Sequence, residues 1–131
     1  MEKIEQLVDG IVDRMLQHRS FYRIMLRAQL DGDNKLVSDM ITGMKLKNLG
    51  LVSALIQEGQ RKNAFVQDID VTMMMISTIG TIYQVAADTP YLRRQLQTEG
   101  LSDQENTEVL RGKLKTHLKH LFKAALTYDG K

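Results

Sequence analysis

A chain of 131 residues, 43% hydrophobic and 26% charged, is long enough for one domain around a packed core and too apolar for a disordered tail. A net charge of +2 does not mark a nucleic-acid-binding protein, and the absence of cysteine excludes disulfides, thiolate zinc sites and thiol nucleophiles. That absence fits a reducing compartment, most simply the cytoplasm. No apolar run reaches the roughly 18 residues of a membrane span, and Met-Glu-Lys-Ile-Glu is not the start of a signal peptide.

One proline, eight methionines and no alternating apolar pattern favour an all-α chain. Ile4, Leu7, Val8, Ile11, Val12, Met15 and Leu16 recur at three- and four-residue steps, so a first helix running to about Gln17 has one apolar stripe, with Glu5, Asp9 and Asp13 facing away. Ser20 to Leu30 repeats the pattern with Phe21, Ile24, Met25 and Ala28, and Asp31-Gly32-Asp33-Asn34 supplies a turn. From Lys35 to about Lys62, Val37, Met40, Ile41, Met44, Leu51, Val52, Leu55 and Ile56 keep helical phase, with a bend expected near Gly43 or Gly50. Arg61-Lys62-Asn63 ends that helix: cations suit its last turn, and Asn tolerates the left-handed closing conformation.

Asp68 or Asp70 caps a fourth helix through Val71, Met73, Met74, Met75, Ile76, Ile79, Ile82, Tyr83 and Val85, apolar nearly all round and therefore covered on more than one side. Ser77, Gly80, Thr81 and Gln84 form a small or uncharged strip that admits another helix closely. Thr89-Pro90 opens a short helix that Gly100 is expected to close. Ser102 and Glu105 have capping-box spacing, opening a last helix that buries Val109, Leu110, Leu114, Leu118, Leu121, Phe122 and Ala125.

Few residues point to chemistry. Asn48 is an amide on an apolar face and must find a hydrogen-bond partner, whether ligand, water or backbone. Arg111, Lys115 and Lys119 form a basic stripe that reads as a solvated face, since no stacking aromatics accompany it. His117 and His120 have no carboxylate or cysteine at matching spacing, so no metal site is expected. There is no glycine-rich phosphate loop, no His-Glu-x-x-His, no Gly-x-Ser-x-Gly and no cluster of carboxylates, so neither catalysis nor a cofactor is expected.

Leu55-Ile56-Gln57-Glu58-Gly59-Gln60-Arg61-Lys62-Asn63-Ala64-Phe65-Val66-Gln67-Asp68-Ile69-Asp70 resembles the stretch of TetR-type bacterial transcriptional regulators in which a long helix ends in a Glu-Gly-x-x-x-Gly-x-Phe turn and the next begins after Asp-x-Asp-Pro. Asn63 stands where that family often has glycine, and Val71 where proline is common. Phe21 to Leu30 resembles the helix leading from the family's connector into its sensor half, and residues 1–17 resemble the connector itself. The resemblance spans nearly the whole chain. It implies a single ligand-binding and dimerisation domain of five to six helices over residues 1–131, without the N-terminal helix-turn-helix that reads DNA.

Such a domain implies a small apolar or amphipathic effector, for which Phe21, Tyr22, Met25, Met40, Met44, Asn48, Met75 and Ile82 are candidate lining; the competing reading makes most of them ordinary core. It implies a homodimer through the last two long helices, with Ile76, Gly80, Thr81 and Gln84 facing Leu110, Leu114, His117, Leu118 and Leu121. The function expected is effector sensing coupled to DNA release by a repressor. A stand-alone dimerisation protein derived from such a regulator is the alternative, and a helical enzyme or carrier a third reading.

Overall fold

The computed structural model describes residues 1–32 and 35–128, Gln29 and Val37 by their backbone only. Asp33 and Asn34 of the expected turn, and the side chain of Val37, lie outside it. Six helices and no strand occur among the described residues: α1 (Glu2–Gln17), α2 (Arg19–Asp31), α3 (Lys35–Arg61), α4 (Val71–Ala86), α5 (Pro90–Leu96) and α6 (Asp103–Thr127).

The core is the meeting of two stripes. Ile4, Val8, Ile11, Val12, Met15 and Leu16 of α1 are buried, and so are Leu110, Leu114, Leu118, Phe122 and Leu126 of α6, along which α1 lies. Each aliphatic side chain removed from water there contributes about 1.5–3 kcal/mol. Val52 and Ile56 of α3, Met75 and Ile82 of α4 and Phe65 complete the cluster.

The same pairing changes the meaning of the basic stripe. Lys119 reaches Asp9 at 2.8 Å, Lys115 reaches Asp13 at 2.9 Å, and Arg111 also pairs with Asp13. Acids expected to face solvent and cations expected to be a solvated face instead form a ladder along the edge of the α1–α6 contact. Hydrogen bonding from Lys115, reinforced by Arg111, holds the Asp13 carboxyl below the usual carboxylate range.

Caps set the helix boundaries. Asp70 accepts from the Met73 N–H at 3.0 Å and Thr89 from the Leu92 N–H at 3.2 Å. Ser102 accepts from the Glu105 N–H while the Ser102 N–H donates to the Glu105 carboxylate, a complete capping box. Ser102→Ala is expected to lower stability by about 1 kcal/mol, seen as a fall of a few degrees in Tm. An unchanged Tm would mean that the box adds nothing to α6.

One boundary differs from expectation. The short α5 closes at Gln97, in the left-handed conformation at φ 60°, with no involvement of Gly100. The long α3 continues through both Gly43 and Gly50 without interruption.

After α3 the chain folds back tightly. Asn63 is left-handed at φ 58°, and the Gly59 carbonyl accepts both the Ala64 N–H (2.8 Å) and the Phe65 N–H (3.2 Å). Gln60 donates to the carbonyls of Val66 and Gln67, and Gln67 donates back to the Gln60 carbonyl. The Phe65 ring thereby lies directly against Gly59, where any Cβ would collide with it.

Candidate ligand cavity and exposed helix faces

Asn48 occupies the middle of a face of α3. Ile41, Met44, Asn48 and Leu51 follow one another at three- and four-residue steps and point together into a cavity of about 500 Å³. Its other walls are Leu7, Ile11, Arg14 and Met15 of α1, Tyr22 and Met25 of α2, and Ile79 and Tyr83 of α4. This volume falls within the range of small-molecule sites. A second groove of about 620 Å³ lies between α2, α3 and α4, lined by Leu26, Leu46, Leu49, Met75 and Ile76 among others. Lys45, Asn48, Ile79 and Tyr83 belong to both, forming a shared wall.

Polar groups in that wall are few and placed. The rings of Tyr22 and Tyr83 lie 6.4 Å apart, and the Lys45 ammonium sits 5.7 Å from the Tyr83 ring centroid. Burial, with the neighbouring Tyr22, pushes the Tyr83 hydroxyl above the usual phenol range. It stays protonated and can donate as well as accept.

Of the residues singled out from the sequence, Tyr22, Met25, Met44 and Asn48 line the cavity, and Met75 lines the groove on the other side of Asn48. Phe21 packs edge-on against Tyr22, with centroids 5.7 Å apart, and is half exposed. Met40 is exposed on α3, and Ile82 is fully buried in the core. Arg14, Lys45, Lys47 and Tyr83 were not anticipated. Lys45 and Lys47 flank the Asn48 face by helical spacing and were findable from it; Arg14 comes from another helix, and no spacing rule reveals it.

The residues expected at a dimer contact divide in two. Ile76 is 58% exposed, Gly80 has open space above it, Gln84 and His117 are exposed, Thr81 is half-buried and Leu121 sits at the edge. Leu110, Leu114 and Leu118 are buried, the last two in the core cluster with the α1 stripe. His117 and His120 line a shallow groove on α6 with Gly112, Lys113 and Thr116. Among the described residues no group of three or more His, Asp or Glu is placed to hold a metal.

A polar knot joins the N-terminal turn of α2 to the far end of α4. Asp88, left-handed at φ 48°, accepts from Arg93 at 2.9 and 3.0 Å, from the Asn106 amide at 3.1 Å and from Arg19 at 3.4 Å. Arg23 donates to the carbonyls of Ala86 and Ala87. Hydrogen bonding from Arg93, with the charge of Arg19 nearby, holds the Asp88 carboxyl below its usual range. Nothing in the sequence announces this knot, because its members come from α2, α5, α6 and the α4–α5 loop.

No helix among the described residues is long and apolar enough to cross a membrane. Comparison with curated proteins and with solved structures returned no match. The family model for the tetracyclin repressor-like C-terminal domain matches residues 1–114, a stretch that contains α1 to α5, all the lining residues of the cavity and the turn around Gly59. With that match and its six-helix, all-α architecture, the chain belongs to the tetracyclin repressor-like C-terminal domain family, whose members are regulatory.

Proposed function

We propose that the chain is the effector-sensing and dimerisation module of a TetR-type transcriptional repressor, acting in the bacterial cytoplasm. The observation that carries this reading is the cavity of about 500 Å³ with a wall from α1, the helix that resembles the family's connector. A small amphipathic molecule held between α1, α2, α3 and α4 shifts the regulator only if it binds one arrangement of α1 more tightly than another. That differential affinity would be transmitted to a DNA-reading domain, the only part through which DNA is engaged. Phe21, Met40 and Ile82 would shape the site from behind, and Tyr22, Met25, Met44, Asn48 and Met75 would touch the effector.

The exposed face of α4 around Ile76, Gly80, Thr81 and Gln84, beside His117 and Leu121 of α6, would meet the same face of a second copy in a homodimer. Leu110, Leu114 and Leu118 would support that surface from the core. Native mass spectrometry tests both parts. A dimer is expected, with added mass where an effector survives purification, and Ile76→Asp is expected to weaken dimerisation by about tenfold or more. A monomer at micromolar concentration would overturn the dimer reading.

A further inference from the structure

The cavity has a sign. Its floor is apolar, with Ile11, Met15, Met25 and Ile41 all buried, whereas its charged lining residues are Arg14, Lys45 and Lys47. None of the described lining residues is Asp or Glu, although the chain as a whole carries 16 acids against 18 basic residues. Arg14 and Lys47 are exposed and Lys45 half-buried, so the cations stand at the rim and not on the floor.

We infer that the effector is an amphipathic organic anion, its apolar body on the methionine-rich floor and its acid group at the Arg14–Lys45–Lys47 rim. This rests on the reading of the cavity as an effector site. A carboxylate, sulfonate or phosphate held at a partly solvated rim avoids the desolvation cost that a buried charge would meet, while still gaining charge-assisted hydrogen bonds. Asn48, Tyr22 and Tyr83 also line the cavity and carry an amide and two hydroxyls as further donors. A cationic ligand would face the like charges of Arg14 and Lys47 at the rim, with no Asp or Glu among the described lining residues.

Two fluorescent probes with one apolar body, anilinonaphthalenesulfonate and N-phenylnaphthylamine, separate charge from shape. The sulfonate is expected to bind about tenfold more tightly than the neutral probe. Arg14→Gln and Lys47→Gln, at exposed positions and so expected to fold normally, should each weaken the sulfonate by about threefold or more and leave the neutral probe within about twofold. Met44→Trp, which places an indole in the cavity, should weaken both probes. Equal affinities, unmoved by the Gln variants but weakened by Met44→Trp, would overturn the anion inference and leave the effector cavity standing. Binding of both probes unaffected by Met44→Trp, or no binding of either, would overturn the inference and the cavity reading together.

Discussion

Asp88→Asn is expected to lower the free energy of unfolding by about 3 kcal/mol at neutral pH, with the loss shrinking as the pH falls below about 4. The carboxylate is acceptor for two guanidinium groups and a buried amide, and its side chain is only 10% exposed. Asparagine keeps the left-handed backbone tolerable, so the substitution isolates the charge. Its amide nitrogen would turn a donor toward Arg19 or Arg93, leaving partly buried charge without its partner. The sign follows from the lowered pKa: the unfolded chain takes up the proton first, so the contribution of Asp88 is complete above the ordinary carboxylate range and is lost as pH falls through the folded value. Urea unfolding at one fixed protein concentration, at pH 7 and near pH 3, measures both parts. A loss equal at the two pH values would show that shape, not charge, holds the knot.

Gly59→Ala sets two effects of opposite sign against each other. Alanine is favoured over glycine in a helix by about 1 kcal/mol, so propensity alone makes the variant more stable. Here the added Cβ falls inside the Phe65 ring, itself 7% exposed and part of the core, and the turn cannot relax without loosening its bonds to the Gly59 carbonyl. Overpacking wins, and a net loss of about 2 kcal/mol is expected by chemical denaturation. Shortening the ring with Phe65→Leu should make Gly59→Ala milder in the double variant than in the single one. A stabilised Gly59→Ala would show that the ring moves aside freely.

Helix order and most boundaries were readable from the sequence because they are local. Asp70, Thr89-Pro90 and Ser102 with Glu105 cap within three residues of themselves, and the Glu58-Gly59 to Phe65 segment folds on itself at the left-handed Asn63. The end of α5 was misplaced because Gln97 adopts a conformation for which glycine is the usual marker. What lay beyond reach was pairing between helices. Periodicity shows that Arg111, Lys115 and Lys119 share a face but not that Asp9 and Asp13 run beside it. Four of the expected lining residues converge on one cavity because α2 and α3 place their apolar stripes together, whereas Ile82 points from α4 into the core.

The knot at Asp88 also has a mechanical side. Among the described residues, the side-chain hydrogen bonds of α2 to other elements arise at Arg19 and Arg23, in its first turns, while its other end at Leu30 is exposed and borders the apolar groove. A helix of 13 residues is about 20 Å long, so a swing of about five degrees about the tethered end displaces the opposite end by more than 1 Å. A rotation of α2 about Arg19 would therefore keep the bonds of the knot near the pivot and concentrate its displacement where α2 packs on α3 and borders the groove.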